Sequence, residues 1–125
     1  MTTTLRFVVS PPGLDPHRDF ALDAIDGAPG LSVLRAVGDE AVRLYVIDPE
    51  LYLADYTPRV TADELETIGA SADEAQVLVV ATLDADGPVV NLLAPVIVNP
   101  ASGVAVQVIL DADDWPLRHR LEPAA

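Results

Sequence analysis

The chain has 125 residues with 20 acidic side chains against seven basic ones, all of them Arg, for a formal net charge of −13. Such a field repels phosphate backbones and anionic lipid, so it disfavours direct binding to nucleic acid or a membrane surface and favours a basic protein partner. With no cysteine, the chain has no disulfide, no thiolate metal site and no cysteine nucleophile.

Half of the residues are hydrophobic, enough to build a core, and the length fits one domain over 1–125. In chain order the apolar runs are 5–9, 20–25, 31–37, 41–47, 76–83, 89–98 and 104–110. They are short, rich in Val, Ile and Leu, and separated by Gly and Pro, which predicts seven strands in an all-β sandwich or barrel. Between the fourth and fifth runs lies one short helix near 61–69. Thr61 and Glu64 match a capping box, Asp63, Glu64 and Glu66 place negative charge in the first turn, and Gly69 is a natural stop. A second box, Ser71 with Glu74, leads directly into a run of strand character and is not read as a helix start.

The unbroken apolar stretch Val77, Leu78, Val79, Val80, Ala81 predicts a strand covered on both faces. Two turns, at Asp84-Ala85-Asp86-Gly87-Pro88 and Asn99-Pro100-Ala101-Ser102-Gly103, predict an antiparallel meander over 76–110. Pro95, inside a strand run, marks an edge, a bulge or a switch of sheet.

Catalytic and cofactor patterns find no support. His17 and His119 have no nucleophile motif beside them, and two histidines without cysteine make a poor transition-metal set. The clusters Asp111-Ala112-Asp113-Asp114 and Asp84-Ala85-Asp86-Gly87 do not complete a calcium loop, and no phosphate-binding glycine motif occurs. No apolar run reaches the roughly 18 residues of a membrane span. The N-terminus lacks the charged and apolar regions of a signal peptide, so a cytoplasmic location is expected. Composition and spacing therefore predict an acidic all-β binding module, neither enzyme nor cofactor carrier.

Read together, several segments resemble the flagellar assembly factor FliW family. Residues 45–56 run Tyr-Val-Ile-Asp-Pro-Glu-Leu-Tyr-Leu-Ala-Asp-Tyr, a strand ending in Pro and then Asp55-Tyr56. The helix near 61–69 follows. Next comes Asn91-Leu92-Leu93-Ala94-Pro95 and an apolar strand ending in Asn99, then Gly103, Gln107 and the tail Trp115-Pro116-Leu117-Arg118-His119. Upstream, Phe7 and the stretch through Leu14 are similar to the family's first segment, with departures at Ser10, Leu14 and Trp115.

The resemblance implies a flattened, mainly antiparallel β-barrel-like fold. It also implies a non-enzymatic regulator that binds the carbon-storage translational repressor CsrA, relieving silencing of flagellin synthesis, and that binds flagellin itself. Asp55, Tyr56, Asn91 and Trp115 are the expected partner contacts, because they join polar or aromatic character to loop or strand-end positions. Each also has a structural reading: Asn91 holding a bulge backbone, Gln107 pairing across the sheet, Tyr56 and Trp115 as core aromatics with a wet edge. A small-ligand β-barrel module without a flagellar role is the alternative, and a hydrolase built on Asp or His is a distant third.

Overall fold

A computed structural model describes residues 3–10, 14–53, 56–84, 87–110 and 113–120. The strands are β1 (Thr3–Phe7), β2 (Asp19–Ala24), β3 (Leu31–Ala36), β4 (Asp39–Ile47), β5 (Gln76–Asp84), β6 (Gly87–Val98), β7 (Val104–Gln107) and β8 (His119–Arg120). Two helices, α1 (Pro49–Tyr52) and α2 (Ala62–Ile68), lie between β4 and β5. Neighbours follow the order β5-β4-β3-β2-β1-β7-β6, and a β5–β6 pairing closes the ring, so seven strands form a barrel with β8 attached to β6.

Every pairing is antiparallel except β1 with β7, where Arg6 meets Val104 and Phe7 meets Ala105 in parallel. The exception follows from counting. Directions alternate around an antiparallel ring, so an odd number of strands leaves one pair pointing the same way. The seam there is tight. Gly103 has φ of 81°, its carbonyl accepts from the Arg6 amide at 2.8 Å, and a Cβ on it would sit 2.5 Å from the Thr4 carbonyl oxygen. Only glycine meets both conditions without strain.

All seven barrel strands send side chains into one buried cluster, among them Leu5, Phe7, Phe20, Leu34, Val46, Leu78, Val96 and Ala105. That cluster fills the barrel lumen. Phe7 and Phe20 meet edge to face with centroids 5.4 Å apart, the arrangement ring quadrupoles favour. Two smaller clusters lie on the outer wall. One holds Ile47, Val79, Ala81, Val90 and Leu92, with Leu53, Tyr56 and Trp115 packed over it. The other holds Ile97 and Val108 under Ile68 of α2. β5 is thus covered on both faces: Leu78 and Val80 pack inward, and Val77, Val79 and Ala81 pack outward.

The helix expected near 61–69 has the caps its sequence encodes. Thr61 and Glu64 form both bonds of the capping box, at 3.1 and 2.8 Å, and Gly69 closes the helix in the left-handed conformation. Asn99 then donates to the carbonyls of Ile68 and Gly69 at 3.0 and 3.2 Å, tying the helix end to the β6–β7 turn. Replacing the Thr61 cap by Ala should cost about 1 kcal/mol, read as a fall of roughly 4 °C in melting temperature. Ser71 and Glu74 make only half of such a box: the Glu74 carboxylate accepts from the Ser71 amide and hydroxyl at 3.2 and 2.9 Å, while the Glu74 amide goes to the Ser71 carbonyl, in a turn that does not propagate.

Two elements differ from the sequence reading. α1, four residues long, stands where the strand was expected simply to end. Asp48 caps it by accepting from the Glu50 amide at 3.0 Å, and Pro49 opens it. β8 is two residues and carries no periodicity to read. The expected run to 110 also ends early as a ladder, at Gln107, where β6 stops returning hydrogen bonds.

Candidate functional site

The site builds outward from a bulge in β6. Leu78 of β5 faces Val96 and Val80 faces Asn91, so five steps on β6 oppose two on β5. Three surplus residues are pushed out of the ladder, and their amides and carbonyls need partners from elsewhere.

Each group finds one. The Asn91 Oδ1 accepts from the Leu93 and Ala94 amides, both at 3.0 Å. The Leu92 amide donates to the Pro116 carbonyl at 3.2 Å, and the Leu92 carbonyl accepts from the Tyr56 hydroxyl at 2.6 Å. The Leu93 carbonyl accepts from the Leu110 amide at 2.7 Å, and the Pro95 carbonyl from the Val108 amide at 3.0 Å. The Ala94 carbonyl takes the Gln107 side-chain amide at 3.0 Å. Pro95, fully buried, has no amide to satisfy. The stretch Asn-Leu-x-Ala-Pro is therefore a self-consistent answer to one local problem.

The same geometry explains the early end of β7. Val108 and Leu110, beyond its end, still donate to β6, but β6 returns nothing, because Pro95 has no N–H and the Leu93 N–H is held by Asn91. A one-way ladder of bonds replaces the strand.

Tyr56 and Trp115 stand over this bulge. Their rings meet edge to face at 4.7 Å and 79°, and both pack on the outer cluster with Leu92. Burial raises the Tyr56 phenol well above its ordinary pKa of 10.0, because the charged phenolate is poorly solvated there. The folded value lies above the unfolded one, so this contribution to stability is present below about pH 10 and is lost as pH rises further. Tyr56→Phe should cost about 1 kcal/mol at neutral pH and flatten the alkaline fall in stability, measured by denaturant melts from pH 7 upward.

Of the four expected contact residues, three therefore converge on one patch: Tyr56, Asn91 and Trp115. Each is half-buried and structurally engaged. Asp55 lies outside the described residues, as do Asp111, Ala112, Ala85 and Asp86. The other acidic and titratable groups singled out by sequence are spread apart. Asp63, Glu66 and Thr67 are exposed on α2, Asp113 and Asp114 are exposed, and His17 sits 3.8 Å from Asp39. Among the described residues no three potential metal ligands come together.

Sequence reasoning missed two features here. One is the Leu92 carbonyl as the Tyr56 anchor, which has no side-chain signature. The other is a pair of open grooves, each of about 660 Å³, that flank the aromatic pair. Tyr56 lines the first with Asp48, Glu50 and Glu74. Trp115 lines the second with Arg59, Ile109 and Asp114. Ile109, in the second groove, is 66% exposed, and the first offers apolar surface from Leu53, Ala75 and Val77.

Known proteins place this arrangement. The family model described as FliW protein matches residues 2–121. The flagellar assembly factor FliW of Thermotoga maritima is 36% identical over 114 residues, covering 88% of this chain and 76% of that protein. Its counterpart in Moorella thermoacetica is 30% identical over 122 residues, covering 94% and 77%. A crystal structure of the flagellar assembly factor FliW aligns with a TM-score of 0.86 at 25% identity, covering 97% of this chain and 86% of the other. With the family model matched over nearly the whole chain and relatives at this identity, the chain belongs to the FliW family of flagellar assembly factors.

Proposed function

We propose that the protein is a cytoplasmic, protein-binding regulator that antagonises a CsrA-type translational repressor and binds flagellin, so that the flagellin level sets flagellin translation. The observation that carries this reading is the division of the molecule into a filled lumen and a grooved outer wall. Packed side chains in the lumen speak against the small-ligand alternative, whereas grooves with apolar residues on the outer wall suit protein partners. The net charge of −13 complements an RNA-binding repressor, whose surface is basic. Tyr56, Asn91 and Trp115 form the proposed contact patch, with Trp115 contributing apolar area, and Asp55, next to Tyr56 in sequence, is a proposed charged contact.

The test is a gel shift on flagellin messenger RNA. The protein alone should give no shift at micromolar concentration and physiological salt, and it should abolish the shift made by CsrA. Flagellin added in excess should restore that shift. CsrA association should slow as salt rises, because screening beyond about 8–10 Å weakens steering. A direct shift by this protein, or an undisturbed CsrA shift, refutes the proposal.

A further inference from the structure

The groove beside α1 contains an unfilled place in a β-ladder, and the strand register shows which atoms it exposes. Asp48 donates its amide to the Gly30 carbonyl on the β3 side. Backbone groups alternate direction along a strand, so the hydrogen-bonding groups of Ile47 and Tyr45 face β5, opposite Val79 and Ala81. The next position on β5 facing that side is Val77. The residue across from it in this register is Pro49, which opens α1 and has no N–H. β4 stops there, and among the described residues no backbone hydrogen bond joins Val77 to α1. The β6 side gives the same phase independently: the Asn99 amide donates to the Val104 carbonyl, so Ile97, two residues earlier, faces β7 and leaves Val77 unbonded to β6.

Val77 thus points one N–H and one C=O into a groove of about 660 Å³. Its walls are Asp48, Pro49, Glu50 and Leu53 on one side and Glu74 on the other, and among the described residues no basic side chain lines it. Among the described residues none of the three carboxylates is in an ion pair. A strand edge with its ladder interrupted accepts an extended peptide. The apolar floor selects alternate apolar side chains, and the carboxylates on both walls select cationic ones.

We propose that this groove is a β-augmentation site for an extended segment of a partner protein in which apolar residues alternate with Arg or Lys, anchored by paired backbone hydrogen bonds to Val77. The site is defined by this chemistry and does not require that either partner named above carries the segment.

The probe is an acetylated, amidated heptapeptide of alternating valine and arginine, titrated into the ¹⁵N-labelled full chain. The Val77 amide should move most, together with Gln76 and Glu74, and binding should saturate. A heptapeptide N-methylated at alternate residues, in either of the two phases, tests the backbone bonds directly, and one phase should bind at least tenfold more weakly. Val77→Pro removes only the groove-facing N–H, since Val77 makes no bond to β6, and should weaken the unmodified probe to the same degree. Glu50→Gln with Glu74→Gln should lower affinity and flatten its salt dependence, and a valine–glutamate heptapeptide should not bind. Equal binding of both methylated probes, or shifts confined to the groove beside Trp115, overturns the proposal. Should Val77→Pro fail to fold, the methylated probes on the unaltered chain decide between these outcomes.

Discussion

Asn91→Ala should lower stability by about 2–4 kcal/mol, because it leaves two amides of the β6 bulge without acceptors and each orphaned buried donor costs about 1–3 kcal/mol. The two are the Leu93 and Ala94 amides, which now share the Asn91 Oδ1 at 3.0 Å. The melting temperature should fall by roughly 8–15 °C, followed through the fluorescence of the single tryptophan. Asn91→Asp separates lost acceptor from lost shape. A carboxylate accepts both amides, so the variant should be close to the parent at neutral pH. Those bonds favour the charged form and depress its folded pKa, so the stability is present above the unfolded value of about 3.9 and disappears as pH falls through the folded one. A variant Asn91→Ala that melts with the parent would show that the bulge does not hold the barrel together.

The bulge also shows what a single sequence carries. The seven barrel strands and α2 were legible because each is encoded locally, in apolar runs broken by Gly and Pro and in the Thr61–Glu64 box with Gly69 behind it. The parallel seam between β1 and β7 was implicit in the count of seven, although no residue marks it. α1 was written in Asp48-Pro49-Glu50, a cap, a helix-opening proline and a first-turn acid, but four residues give no period to detect. The acceptor role of Asn91 and the cross-strand role of Gln107 were open structural readings of those residues. Which backbone groups they serve depends on a register between segments distant in sequence, and that is fixed only when the barrel closes. The groove beside Val77 was invisible for the same reason, since it arises where Pro49 of one element fails to meet a strand nearly thirty residues later.

Trp115→Ala should cost about 2–4 kcal/mol, less than for a fully buried tryptophan, because the ring is half-exposed. The loss has three parts with separate readouts. Contact with the outer cluster around Leu92 goes first, lowering the melting temperature by roughly 8–15 °C. Residues 113–120 are held to the barrel by this ring, by the Leu92 amide on the Pro116 carbonyl and by the two-residue β8. Without the ring the strap should loosen, and the Leu92 amide should exchange with solvent faster. Finally, Tyr56 loses the ring that shields it, so its phenol should move back toward its ordinary value and the alkaline fall in stability should shrink. Trp115→Phe keeps a ring and should recover most of the melting temperature. If flagellin affinity is then still reduced at least tenfold, the indole contacts the partner as well as the barrel. If affinity returns together with stability, Trp115 serves binding only by holding the strap and Tyr56 in place, and the contact patch contracts to its remaining members.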